Sequence, residues 1–383
     1  MSTSFLFSCK KDDDKQVYIL PKINKPPQDF TIVPEIITGS EIVVSYSESY
    51  DPEYQPVKYR YYLNDSMIGD NQDYTGLFKF DHLLPETIYK INITSVDTGG
   101  LTNSQIIYTK SLHAGAEISH NKFWLGGRER EYGLYLPTGS DNQKLPLVIF
   151  LHGAAGIIWP KMINYHFTKL AEREKFIFLQ PQALPGSSEN KMTGWDAHNL
   201  LPWNDVDFIN SIIDTLNKKG QVDLSRIYVS GMSNGGFMTF TVAEELQDKI
   251  AAIAPIAGLM DNTVFSNYNM RKPLPLCYIH GTADATVEIE GDGSSVGWSR
   301  ILTLFIENNN TSSSPLVVEL PDINKNDNST VTKFEYHSYS GKSDILFYRI
   351  NNGVHSIPGI EYPANMDINA FEEIWKFFKD YTL

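Results

Sequence analysis

The chain has 383 residues, 42% of them hydrophobic and 20% charged. That is a globular composition, long enough for two domains and a large core, and it excludes wholesale disorder. A formal net charge of -14 excludes the basic face that nucleic-acid binding requires, and the acidic balance reads as solubility. Two cysteines, Cys9 and Cys277, rule out a disulfide scaffold, and no C-x-x-C or H-E-x-x-H spacing is present, so neither a metal nor an organic cofactor is expected.

The chain opens on Ser4-Phe-Leu-Phe-Ser-Cys9, followed by Lys10-Lys-Asp-Asp-Asp14. Leu6-Phe7-Ser8-Cys9 resembles the lipobox of a bacterial lipoprotein, and the Cys-Lys-Lys-Asp-Asp-Asp run resembles the surface-export signal of Bacteroidetes lipoproteins. That resemblance implies lipidation of Cys9, a lipid anchor to the membrane, and an extracytoplasmic location: the outer membrane or cell surface, otherwise the periplasm or the medium. Phe7 is bulky for its place, no basic residues precede it, and the apolar run is short. The other reading, a polar tail with an incidental cysteine, stays open. No stretch approaches the roughly 20 apolar residues that span a bilayer. Residues 1–25 are read as a lipoprotein-like leader and tether leading to Pro26-Pro27.

From 26 to 112 the signals are all β. Ile42, Val44 and Tyr46 alternate with polar or outward positions, as do Tyr59, Tyr61 and Leu63, and then Tyr89, Ile91 and Ile93. Turns are predicted at Asn64-Asp65 and at Asp97-Thr-Gly-Gly100. Short strands at this spacing imply an immunoglobulin-like β-sandwich. Leu84-Pro-Glu-Thr-Ile-Tyr89 resembles the corner of fibronectin type III domains, in which the tyrosine hydroxyl ties back to nearby backbone. The segment is read as a spacer, with glycan binding as the alternative.

After a linker at 113–117, strands alternate with helices through 118–383, as in a mostly parallel, doubly wound α/β sheet. Strands are predicted at Tyr132 to Leu136, Leu147 to Leu151, Phe176 to Leu179, Ile227 to Ser230, Ala251 to Ile256, Leu274 to Ile279 and Ile345 to Ile350. Helices are predicted at Met162 to Arg173, Val206 to Lys219, Phe237 to Lys249 and Ala370 to Tyr381. The second of these turns Val206, Phe208, Ile209, Ile212, Ile213 and Leu216 inward and stops at Gly220. Asp205 and Asp207, near its start, read as residues that cap it or favour its positive end. Gly291 to Gly297 lacks the G-K-[ST] of a phosphate-binding loop and reads as a flexible loop.

The chemistry concentrates at Gly231-Met232-Ser233-Asn234-Gly235, a G-x-S-x-G turn between a strand and a helix. Such a turn lifts a serine hydroxyl clear of a sheet edge and aims the next amide at a developing oxyanion. In this arrangement the partners follow in the order Ser, Asp, His, each just past a strand. Asp284 follows the strand ending at Ile279, and His355 follows the one ending at Ile350. His355 is thus the candidate base and Asp284 its orienting carboxylate. A second oxyanion donor is sought in Leu151-His-Gly-Ala-Ala-Gly156, where Ala154 is the candidate beside Asn234. His152 and His280 read as braces for their loops. Trp195, Trp203 and Trp298 are candidates for a stacking wall, with core packing as the other reading.

These stretches, with Ile253-Ala-Pro-Ile-Ala-Gly258 and Gly353-Val-His-Ser-Ile-Pro-Gly359, resemble the polyhydroxybutyrate depolymerase and feruloyl esterase family of α/β-hydrolases, which includes acetyl-xylan and other carbohydrate esterases. The resemblance covers roughly 118–383 and implies a serine esterase without a cofactor. Where the family reads G-G-H-x-W-P-G, Val354 replaces a glycine and Ile357 the tryptophan that shapes the substrate site. The expected activity is removal of feruloyl or acetyl groups from plant polysaccharide, the ester-bearing poly- or oligosaccharide being the partner. A polyester hydrolase or a peptidase would use the same three residues, and a catalytically idle glycan-binding lipoprotein is the alternative from another class. The sequence leaves the oligomeric state open.

Overall fold

The computed structural model describes residues 24–112, 116–140, 143–156, 166–185, 192–198, 204–360 and 363–383. Seven strands come first: β1 (Ile32–Thr38), β2 (Ile42–Tyr46), β3 (Lys58–Leu63), β4 (Ser66–Gln72), β5 (Leu77–Phe80), β6 (Ile88–Val96) and β7 (Thr102–Lys110). A hairpin follows, β8 (Glu117–Leu125) and β9 (Arg128–Leu136), then β10 (Leu145–Leu151), α1 (His166–Glu174), β11 (Ile177–Pro181), α2 (Asp205–Lys218), β12 (Val222–Met232) and α3 (Asn234–Glu245). The remainder is β13 (Ala252–Ile256), β14 (Met260–Asp261), α4 (Asn262–Asn267), β15 (Leu276–Gly281), β16 (Ser295–Val296), α5 (Trp298–Asn309), β17 (Leu316–Glu319), β18 (Thr330–Tyr336), β19 (Ile345–Asn351) and α6 (Ala370–Phe378).

The chain divides into two compact units. Within the described residues, the first comprises 24–32, Tyr46–Gly76 and Lys90–Ile107. It holds the four-stranded sheet β4-β3-β6-β7, in which β3 runs antiparallel to β4 and β6. The alternation read from the sequence buries Tyr59 and Tyr61, and the Tyr61 hydroxyl meets that of Tyr46 at 2.6 Å. Asn64 and Asp65 turn at φ 47° and 65°, a conformation that these short polar side chains tolerate. At the second predicted turn the Asp97 carboxylate accepts the Leu101 amide at 2.8 Å.

The second unit comprises Val33–Ser45, Leu77–Tyr89 and, from Tyr108 onward, the rest of the chain. Its sheet has thirteen strands in the order β17-β18-β19-β15-β13-β12-β10-β11-β9-β8-β1-β2-β5. The central strands β11, β10, β12, β13, β15 and β19 are mutually parallel, and antiparallel strands extend both sides. β1 pairs antiparallel with β8, Ile37 opposite Ile118, so the sheet continues from the early strands into the α/β part. The predicted tyrosine corner is present: the Leu84 amide donates to Tyr89 Oη at 2.7 Å.

The parallel strands are apolar on both faces because helices cover both. Leu147, Ile149 and Leu151 of β10 join α2, α3 and α5 in one cluster. On the other face Phe150 meets Phe371 of α6, which stacks on Phe167 of α1 at 3.8 Å. All six residues predicted for the inner face of α2 are buried. Asn204 supplies its cap, accepting the Asp207 amide at 2.9 Å, while Asp205 and Asp207 lie in its first turn, at the positive end, with Asp205 buried. Gly291 to Gly297 is not a featureless loop. Ser295 and Val296 pair with Asp261 and Met260, and Asp292 accepts the amides of Ser294 and Ser295, both at 2.7 Å. Residues 162–165 of the predicted first helix lie outside the described residues, as do Cys9 and Trp203. Among the described residues no helix is long and apolar enough to cross a membrane.

Candidate functional site

Strand β12 delivers Ser233 to the sheet edge at φ 56°, ψ −122°, a positive φ that costs a non-glycine residue of order 1–3 kcal/mol. The surroundings hold it there: the Ser233 amide donates to Ile256 O at 2.9 Å and its carbonyl accepts Phe237 N–H at 3.0 Å. Strand and helix cross so tightly that a Cβ on Gly231 would meet the Gly235 carbonyl, and one on Gly235 would meet the Leu151 carbonyl. The two glycines of the motif are therefore steric necessities at this crossing.

Asp284 and His355 lie just past β15 and β19, which neighbour each other in the sheet and run parallel to β12 at the same sheet edge as Ser233. Backbone bonds join their loops: Thr282 N–H donates to Ile350 O and Ala283 N–H to Gly353 O, both at 2.9 Å. Across that junction His355 Nδ1 stands 2.7 Å from Asp284 Oδ2. A carboxylate only accepts, so the proton is on Nδ1 and Nε2 is left as a lone-pair base. Asp284 Oδ1 accepts the amides of Thr286 and Val287, each at 2.9 Å. Burial opposes its ionisation, but hydrogen bonds from His280, His355 and the Val287 amide outweigh that and hold the carboxyl well below the usual range. His280 Nε2 is 2.8 Å from Val287 O and 3.4 Å from Asp284 Oδ2, while Nδ1 meets Tyr278 Oη at 2.5 Å. His280 thus braces the aspartate loop.

The loop after β10 lies against the serine turn. A Cβ on Gly153 would be 3.5 Å from both Met232 O and Ser233 Cβ. The next residue is Ala154, which is exposed, and among the described residues neither its amide nor that of Asn234 donates to a protein acceptor. His152 shapes this loop. Its Nε2 accepts the Ala183 amide at 3.0 Å and its Nδ1 donates to Gly153 O at 2.7 Å. Burial pushes its imidazole down to about 4, against the Gly153 carbonyl, which favours the protonated form. A neutral ring with both nitrogens engaged is a strut for the loop.

For Trp195 and Trp298 the stacking wall gives way to the other reading, core packing. Trp195 is 4% exposed and Trp298 is 5% exposed. Trp298 stacks on Tyr278 at 3.8 Å inside the core, where aromatic burial outweighs exposure to a ligand. Trp195 donates its indole N–H to His152 O at 2.9 Å, and its backbone is clamped by the Asn234 side chain, with Trp195 N to Oδ1 at 2.6 Å and Nδ2 to Trp195 O at 3.2 Å. It supports the site from behind. Ile357 is partly exposed, two residues beyond His355.

Sequence reasoning missed a further support. Arg130 of β9 and Asp205 of α2 form a buried ion pair at 2.6 Å, and Asp205 Oδ2 also accepts the Asp196 amide at 2.9 Å, holding the strand of chain that carries Trp195. The Arg130 guanidinium lies 3.8 Å from the centre of the Phe208 ring. The partners are 75 residues apart in sequence, so no local pattern announces them.

Residues 138–293 match the model of the phospholipase/carboxylesterase family. The chain is 30% identical over 168 residues to a bifunctional acetylxylan esterase/xylanase of Neocallimastix patriciarum, covering 43% of this chain and 23% of that protein. It is 31% identical over 163 residues to poly(3-hydroxyalkanoate) depolymerase C of Paucimonas lemoignei, covering 40% and 36% respectively. Feruloyl esterase D of Neurospora crassa is 22% identical over 286 residues, 71% of this chain and 88% of that one. The chain thus spans only about a quarter to a third of the first two relatives. A provisionally assigned dipeptidyl aminopeptidase IV of Bacteroides ovatus superposes with a TM-score of 0.51 at 15% identity, over 92% of this chain and 50% of that one, which is a likeness of fold. The larger unit has the α/β-hydrolase fold, and the proteins it resembles include acetylxylan and feruloyl esterases and a polyester depolymerase, as the sequence motifs led one to expect.

Proposed function

We propose that the chain is a serine carboxylic-ester hydrolase that removes acetyl or feruloyl groups from plant polysaccharide. The observation that carries this reading is the Asp284–His355 bond of 2.7 Å at the sheet edge that also presents Ser233 on its strained turn. His355 Nε2 takes the Ser233 proton as Oγ attacks the ester carbonyl, and the tetrahedral oxyanion accepts the amides of Ala154 and Asn234. The imidazolium, stabilised by Asp284, returns that proton to the leaving sugar hydroxyl, which leaves an acyl-serine. Water activated by the same nitrogen releases the acid and regenerates the serine. The acetylxylan and feruloyl esterases among the relatives support the substrate class.

The test is hydrolysis of p-nitrophenyl acetate, methyl ferulate and methyl p-coumarate by wild type and Ser233→Ala. Ferulate turnover lost by several orders of magnitude in the variant supports the whole reading. Cleavage of acetate alone restricts it to small acyl groups. Preference for short hydroxybutyrate esters or peptide amides replaces the substrate class, and equal activity of variant and wild type sinks the mechanism.

Two further readings belong here. The Leu84–Tyr89 corner and the seven strands β1 to β7 support a fibronectin type III-like module ahead of the hydrolase. The lipobox-like start supports attachment through Cys9 and export to the surface. Metabolic labelling with palmitate in a bacterial host, comparing wild type with Cys9→Ser, decides the anchor: an unlabelled wild type removes it.

A further inference from the structure

The first unit carries a feature that the hydrolase chemistry does not use. A cavity of about 420 Å³ is lined by Gln28, Tyr50, Asp51, Tyr54 and Gln55. Gln55 also lines a second cavity of about 350 Å³ with Asn24 and Thr98, and Thr98 lines a third of about 410 Å³ with Lys58, Arg60 and Asp97. Gln55 and Thr98, each common to two of the cavities, make the three neighbours within a single unit. A compact ligand needs one cavity of this size, whereas a chain-like ligand occupies several in succession.

The walls specify the chemistry of the chain. Tyr50 is 60% exposed and Tyr54 is 95% exposed, which is unusual for rings that gain by burial. Tyr54 is held at φ 62°, its amide bonded to Asp51 O at 2.9 Å. Positive φ at a bulky residue costs energy and marks positions where the surroundings impose a conformation. Here the imposed conformation keeps an aromatic ring out in solvent, where it offers a flat apolar face to the C–H face of a pyranose. Two buried oxygens of lining residues, Asp51 Oδ2 and Asn24 Oδ1, have no hydrogen-bond partner. Both are acceptors, so what they lack is a donor such as a hydroxyl. The cations of the third cavity are already matched, Lys58 to Asp73 at 2.5 Å and Arg60 to Asp70 at 2.7 Å, which leaves little to attract an anionic polymer.

We infer that the first unit is a binding site for a neutral polysaccharide chain, with Tyr50 and Tyr54 as its stacking platform and Asp51 and Asn24 as hydroxyl acceptors. The site holds polymer without reacting with it and is independent of Ser233.

Affinity electrophoresis of the full chain through gels containing soluble xylan, mannan or polygalacturonate tests this. Wild type should be retarded by a neutral polymer and not by polygalacturonate. Tyr50→Ala/Tyr54→Ala should weaken that binding about tenfold, about 1.4 kcal/mol, and Tyr50→Phe/Tyr54→Phe should keep it. All should cleave p-nitrophenyl acetate alike, and Ser233→Ala should bind polymer as wild type does, so loss of hydrolysis and loss of binding are read separately. Binding undiminished in the double alanine variant, no retardation by either neutral polymer, or preference for polygalacturonate would overturn the inference.

Discussion

Asp284 shows how a single residue is prepared for the role proposed for it. Its carboxylate stays charged in a buried place because two amides and two imidazoles surround it, and the same contacts select the His355 tautomer that leaves Nε2 free. Asp284→Asn keeps the shape but presents an amide that can donate to Nδ1, which favours the wrong tautomer. We expect kcat to fall by about 10⁴ with KM nearly unchanged, measured on an aryl ester. Because the folded-state carboxyl titrates below its ordinary value, its contribution to stability is present above about pH 4 and is lost as the pH falls further. Asp205 is a second case: Asp205→Asn leaves the buried Arg130 charge uncompensated and should cost about 3–5 kcal/mol in urea unfolding. A change below 1 kcal/mol would mean that water reaches the guanidinium.

At the scale of elements, three adjacent strands share one charged clamp. His120 of β8 lies between Glu35 of β1 at 2.7 Å and Glu131 of β9 at 2.9 Å. Burial would lower the imidazole, but the two carboxylates raise it to about 9. Protonation of His120 therefore stabilises the fold fully below about pH 6.5, and that contribution is lost as the pH rises through 9. Urea midpoints of wild type and His120→Gln between pH 6 and pH 10 measure it. The gap between the two should narrow across that window, and parallel curves would show that the histidine is not charged.

For the whole molecule, the pairing of β1 with β8 makes the early strands β1, β2 and β5 part of the same sheet as the hydrolase strands. A chain lacking residues 1–112 would present β8 as an open edge with Ile118 uncovered and His120 deprived of Glu35. Thermal unfolding should shift down by about 10 °C, and the shortened protein should self-associate in sedimentation. A monomer with unchanged unfolding would mean that the β8 edge does not depend on its partner.

The amino-acid sequence alone determined the parts whose causes are local. The alternation at Ile42, Val44 and Tyr46, the inner face of α2, the Leu84–Tyr89 corner and the glycine-flanked turn at Ser233 each depend on neighbours a few residues away, and each is found where the pattern places it. The order of strands with Asp284 and His355 at their ends was equally legible, because an α/β chain puts polar loops after apolar runs. Tertiary structure alone decided what depends on distant partners. Trp195 and Trp298 look the same in sequence whether they face solvent or core, and only the packing against His152 and Tyr278 buries them. Asp205 became half of an ion pair because β9 brings Arg130 to it, and β1 met β8 because a backbone edge accepts any strand in register. Hydrophobic periodicity encodes which face turns inward, and it carries no record of which distant residue will be waiting there.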